Sequence, residues 1–218
     1  DTKGKIISLT RKAMINDDMA IFSRLSGQLG RSAARTIERD VYALLALNAG
    51  LGPNMSDGNP LFDAAHDNIT TESDLDTDGL DLDRVAMASQ MDPNGEDFLD
   101  LRPEILLVPL SLGGTARVIV GAEFEPSTNV NNRTPNKVRD FVSKIIDTPR
   151  LTGTRRYLFA DPNVAPTIEV AWLDGVKAPF LEFKMGFRTD GLSWKVRIDF
   201  AVGAVDWRGA ITNEGDPE

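Results

Sequence analysis

The chain has 218 residues, of which 41% are apolar and 26% charged, with a formal net charge of −9 and no cysteine. That length buries a core without disulfides, and the lack of thiols excludes thiolate zinc sites and cysteine nucleophiles. One histidine, His66, must serve any Ser-His-Asp site or histidine metal site. The charge is uneven. Residues 57–100 hold thirteen acids and one base, Arg84, while the rest hold twenty acids and twenty-three bases. An acidic molecule repels phosphate, so nucleic-acid binding by the whole chain is disfavoured. No stretch approaches the roughly 18 unbroken apolar residues of a membrane helix. The opening Asp1-Thr2-Lys3-Gly4-Lys5 has neither Met nor an apolar signal, so a fragment or processed product is expected.

Residues 4–15 read as a strand, on Ile6, Ile7, Leu9 and Thr10. Asn16-Asp17-Asp18 then signals a helix start. From Met19 to about Asn48 the apolar positions Phe22, Leu25, Leu29, Ala33, Ile37, Val41 and Leu44 recur every three or four residues, as on one face of a long helix. Arg24, Arg31, Arg35, Glu38 and Arg39 take the opposite face. Gly27 and Gly30 weaken helix propensity, so packing must hold it, and Gly50 suits a left-handed cap before Pro53.

Residues 50–79 read as a long loop with a short ordered piece at Pro60-Leu61-Phe62. Short helices are predicted at 80–91 and 111–122, and a buried strand at 104–109. Residues 125–136, rich in Asn, read as an exposed loop. Strands follow at 138–147, 155–160, 167–173, 180–188 and 193–200, the last two joined through Thr189-Asp190-Gly191. In the final strand Trp194, Val196, Ile198 and Phe200 alternate with Lys195, Arg197 and Asp199. The class is α+β, with a mainly antiparallel sheet.

Three segments resemble a known family. Residues 8–48 are similar to the strand and helix that open the main domain of Mu-like major head subunits of tailed bacteriophages. GNPLFDAAHDNI, residues 58–69, resembles their loop signature, with its Ala-His-X-Asn step. YLFADPNVAPTIEVAWLDG, residues 157–175, and the run to VDWRGAITNEG at 205–215 complete the likeness. The resemblance implies the Hong Kong ninety-seven capsid fold, in a type often fused to a prohead protease. A spine helix and C-terminal hairpin would form a peripheral domain from 1–56 and 179–218, and 57–178 an axial domain. It implies a structural, non-enzymatic subunit with no cofactor, built into an icosahedral shell. Its partners would be copies of itself in pentamers and hexamers, a scaffold or prohead protease, and packaged DNA non-specifically at most, with no membrane. The location would be the virion, and the host cytoplasm during assembly. The family's N-terminal arm and most of its extended loop are expected to be absent, since the chain begins near that loop's returning strand.

Other readings of particular residues stand beside this one. Asp74, Asp76 and Asp78, followed by Gly79, offer three carboxylates of a calcium loop, which would make the chain a binding module. The closing Glu is missing, with Val85 in its place, so the string is read instead as capping the 80–91 helix through Asp78 or Asp81. A hydrolase would need His66 with Asp63 or Asp67; a histidine bonded to loop backbone is the expectation. No Gly-X-Ser-X-Gly elbow is present. Gly113, Gly114 and Gly121 form no phosphate cradle and are expected to mark helix ends or subunit contacts. Arg24, Arg31, Arg35 and Arg39 could face DNA or another subunit, with inter-subunit ion pairs the better partner reading over DNA, against a solvated face with pairs such as Arg35 with Glu38. Trp172, Trp194 and Trp207 are assigned to packing.

Overall fold

The computed structural model describes residues 1–10, 12, 20–126, 134–186 and 191–216, with the backbone alone for residues 9 and 20–26. The predicted cap Asn16-Asp17-Asp18, the turn residues Thr189-Asp190, residues 127–133 of the Asn-rich loop, and the side chains of Phe22, Arg24 and Leu25 lie outside that description. The chain forms two compact units. The first joins residues 1–44 to 169–203, and the second joins 45–168 to 204–218.

In the first unit, β1 (Thr2–Leu9) leads to the long helix α1 (Ala20–Leu45). Strands β5 (Ile168–Trp172), β6 (Phe180–Met185) and β7 (Leu192–Ala204) supply the rest. β7 is the centre of the sheet, bonded antiparallel to β1 and to β6 over the same stretch, with β5 farther along. The alternation predicted for β7 is present: Val196, Ile198 and Phe200 are buried, and Lys195 is exposed. Ala33 of α1 packs on Ile198 and Phe200, with Ile37 and Trp172 beside them. The apolar stripe of α1 therefore meets the apolar face of β7, which offsets the two glycines in the helix.

α1 stops at Leu45, three residues before the expected end. Asn48, Ala49 and Gly50 all take left-handed backbone, at φ of 51°, 58° and 91°. Gly50 is thus in the predicted conformation, and a side chain there would meet the Tyr157 hydroxyl at 2.9 Å.

In the second unit a four-stranded sheet has the order β3-β2-β4-β8. Its strands are β2 (Pro103–Pro109), β3 (Lys144–Thr148), β4 (Arg156–Ala160) and β8 (Ala210–Asn213). β2 and β3 run parallel; the other pairings are antiparallel. Helices α2 (Thr77–Ala88) and α3 (Gly113–Gly121) pack on it through a core that includes Leu80, Met87, Leu106, Ile119, Leu158 and Ile211.

Three boundaries differ from expectation. α2 begins at Thr77 because Asp76 caps it, its Oδ1 accepting from Gly79 N–H at 2.7 Å. β1 spans Thr2–Leu9, starting two residues before the expected Gly4 and leaving out Thr10, while residues 11 and 13–15 of the predicted strand lie outside the described residues. The predicted strand 138–147 shrinks to Lys144–Thr148. Asn136 holds the preceding residues in a turn by donating to the carbonyls of Ile119 and Ala122 and accepting from Val138 N–H. Val138 and Val142 are buried there, so a turn carries the apolar pattern of a strand. Strand β8 has no counterpart among the predicted elements.

Candidate functional site

The loop signature and the C-terminal Asp206-Trp207-Arg208-Gly209 step meet in the second unit. Asp63 caps a short 3-10 turn, Ala64–His66, by accepting from Ala65 N–H, and Asp67 closes it in left-handed backbone. His66 is buried. Its Nε2 lies 2.7 Å from Asp57 Oδ2 and its Nδ1 3.2 Å from the Leu61 carbonyl, while its ring stacks on Trp207. Asp57 is therefore the carboxylate partner of His66, in place of Asp63 or Asp67. The His66 hydrogen bond holds the Asp57 carboxyl below the usual carboxylate range. The expected bond to loop backbone is present through Leu61.

Asn68 completes the signature. Its amide donates to the Leu61 carbonyl and its oxygen accepts from Asp63 N–H. Gln90, at the end of α2, donates to the carbonyls of His66 and Asp67. On the other side of the stack, the Arg208 guanidinium lies 4.5 Å from the Trp207 ring, pairs with Asp206 and donates to the Met91 carbonyl. Gly209 has no room for a side chain, because a Cβ would sit 2.3 Å from the Ala165 carbonyl oxygen. Every position of the step therefore has a packing duty. Among the described residues the two nitrogens of His66 meet Asp57 and the Leu61 carbonyl, and no nucleophilic side chain is bonded to it.

Sequence reasoning missed a second cluster. Asp83 of α2 and Arg156 of β4 form an ion pair at 2.7 Å with both side chains fully buried. Arg156 also donates to the carbonyls of Ser73 and Asp74 and to Ser73 Oγ, and Asp83 accepts from Thr70 Oγ1 at 2.5 Å. Asn213 of β8 donates to Thr70 Oγ1 and the Thr71 carbonyl. The network anchors the acidic 70–76 segment to the sheet. The signal available in sequence was only an Asp on the apolar face of a short helix, next to the buried Leu80 and Met87.

The calcium-like string is dispersed. Asp76 caps α2 and Asp78 pairs with Lys137, whose ammonium is held above its usual range by that bond. Among the described residues no group of three or more acids or histidines is placed to hold a metal ion. Gly113 and Gly121 do mark the ends of α3, and Gly113 abuts Asp147, which pairs with Arg117. Arg31, Arg35 and Arg39 are exposed on α1, with Arg39 beside Asp40. Trp172 lies in the first unit's core and Trp207 in the His66 stack. Among the described residues no helix is long and apolar enough to cross a membrane.

The family model for phage capsid protein matches residues 1–213. No curated protein matches in sequence. Among solved structures, the capsid of cyanophage P-SCSP1u superposes with a TM-score of 0.63 at 12% identity, covering 100% of this chain and 73% of that one. A chain from Mycobacterium phage Patience gives 0.60 at 12% identity, covering 100% and 69%. The SrpI encapsulin of Synechococcus elongatus PCC 7942 gives 0.57 at 9% identity, covering 98% and 73%. At these identities the likeness to the solved structures is one of fold, and it agrees with the α+β class and the capsid architecture. The chain belongs to the phage capsid protein family and is a structural subunit of the virion shell, associating with copies of itself.

Proposed function

We propose that the chain is a major capsid subunit with a peripheral domain at 1–56 and 179–218 and an axial domain at 57–178, to which the first and second compact units correspond in outline, residues 45–56 and 204–218 falling in the second unit. The family match along residues 1–213 carries this reading. The long helix packed on a four-stranded sheet suits the peripheral role, and the sheet with two short helices suits the axial one. The axial unit would meet its neighbours around five-fold and six-fold axes, in pentamers and hexamers. One subunit shape then occupies slightly different settings, and many modest interfaces sum to a stable shell.

Assembly would take place in the host cytoplasm with a scaffold or prohead protease. Packaged DNA is met non-specifically at most, in keeping with the net charge of −9. The subunit performs no catalysis; the burial of His66 behind Trp207 supports that view. Electron microscopy of the full-length protein, expressed alone and with its scaffold, tests the reading. Shells or rings are expected, and a persistent monomer under both conditions would overturn it.

A further inference from the structure

Strand β6 is the most exposed regular element of the first unit. All six of its residues are exposed, with Phe183 at 70% and Met185 at 74%, and among the described residues it pairs with β7 alone. An exposed, apolar edge strand is a template for another strand. We propose that β6 pairs antiparallel with β6 of a second copy, about a two-fold axis centred on Phe183. This rests on the reading of the chain as a self-associating shell subunit and names one contact by which it does so.

The backbone sets which groups face the partner. Gly186 N–H donates to the Gly191 carbonyl at 2.7 Å, which closes the β6–β7 ladder. Alternation then points the N–H and C=O groups of Lys184 and Glu182 toward β7, and those of Leu181, Phe183 and Met185 toward the free edge. Two strands opposed at Phe183 would exchange bonds between the two Phe183 residues, and between Leu181 and Met185 on either side.

The side chains agree with that register. Leu181-Glu182-Phe183-Lys184-Met185 reads apolar, acid, aromatic, base, apolar. Turned on itself about Phe183, it sets Glu182 against Lys184, Leu181 against Met185, and Phe183 against its own copy. Opposed charges and opposed apolar residues both favour an antiparallel pair. Leu181, Phe183 and Met185 share the face of Val196, Trp194 and Leu192, their partners on β7. The apolar face of one sheet would therefore continue into the next. On the opposite face Glu182 already stands across from Lys195, so a second base at Lys184 of the copy extends an alternating row. The contact is isologous, as a two-fold interface requires.

These 218 residues hold no cysteine, so within them a single introduced thiol reports only on contact with its own copy. Residues bonded across an antiparallel pair lie about 5.5 Å apart at Cα, within the range a disulfide spans. Phe183→Cys, oxidised mildly in purified full-length protein and in shells, is expected to give a disulfide-linked dimer. Val164→Cys, exposed on the second unit, is the control and is expected to stay monomeric. Leu181→Cys mixed with Met185→Cys is expected to cross-link more than either alone. Glu182→Lys should lower the Phe183→Cys dimer yield several-fold, and adding Lys184→Glu should restore it. Circular dichroism confirms that each variant is folded. Shells that form without Phe183→Cys dimers would overturn the pairing and leave the capsid reading intact. Dimers in the absence of shells would support the pairing and count against the capsid reading. A cross-link to any other chain, or failure of the charge swap to restore dimers, would assign the edge to a different occupant and overturn the proposal.

Discussion

The imidazole of His66 lies on the indole of Trp207, with ring centroids 4.2 Å apart and planes 11° from parallel. This contact joins the two short runs whose residue choices are hardest to explain locally, the Ala-His-X-Asn loop and the Asp-Trp-Arg-Gly step. The stack also buries the histidine, while Asp57 and Leu61 meet both its nitrogens. His66 is thereby held by a ring stack and two hydrogen bonds. Trp207→Ala is expected to destabilise the second unit by about 3 kcal/mol, in the range for removing a large aromatic, while Trp207→Phe keeps most of the stack. Denaturant unfolding of both variants checks the order.

The Asp83–Arg156 pair is buried on both sides, so removing one partner strands the other charge away from water. Arg156→Ala is expected to cost about 3–5 kcal/mol. Replacing both residues by apolar ones of similar volume should cost less than either single change, apart from the bonds lost to Ser73 and Thr70. A double-mutant cycle by chemical denaturation reads the coupling.

Leu29 is buried on α1 and lines the same pocket as Val196 and Ile198 of β7. Leu29→Asp is expected to prevent folding of the first unit, because it buries a carboxylate in place of an apolar side chain of the α1 stripe. Loss of the cooperative unfolding transition is the readout, and a soluble, fully folded variant would contradict the packing of α1.

Acid should weaken the first unit through Asp40. The Lys3 ammonium bonded to Asp40 holds its carboxyl below the ordinary value of 3.8, with Arg39 adding to the effect. A lowered folded pKa gives stability that is present above the unfolded value and lost as pH falls through the folded one. Asp40→Asn is expected to flatten thermal stability against pH below about 4. Alkali acts on Tyr157, whose phenol donates to the Gly50 carbonyl and which burial pushes up to about 12. That raised value gives stability present below the unfolded pKa of about 10 and lost as pH rises through the folded one. Phenolate absorbance, followed together with unfolding, checks the assignment.

Calcium calorimetry on the folded protein is expected to give no binding heat. Asp76 is occupied as the α2 cap and Asp78 by Lys137, which leaves no ring of convergent oxygens. Clear binding that weakens in Asp74→Asn or Asp78→Asn would restore the calcium-loop alternative.

The local pattern of the sequence determined a good deal. The α1 stripe and the alternation of β7 are periodic within one element, and β2 is a short apolar run, so their apolar faces were readable without knowing what covers them; Gly113 and Gly121 marked the ends of α3. The family likeness drew on the same stretches and on two short motifs. Tertiary structure alone decided what those motifs are for. His66 meets Asp57 and Trp207, and Asp83 meets Arg156, across separations that no local period encodes. It also decided β8, a strand of four residues that exists because β4 offers it an edge, and the turn at residues 137–140, where the Asn136 side chain competes with sheet pairing. Period belongs to one element and can be read along the chain. Partnership between distant polar groups is set only when packing removes water from around them, so it had to be seen in the folded protein.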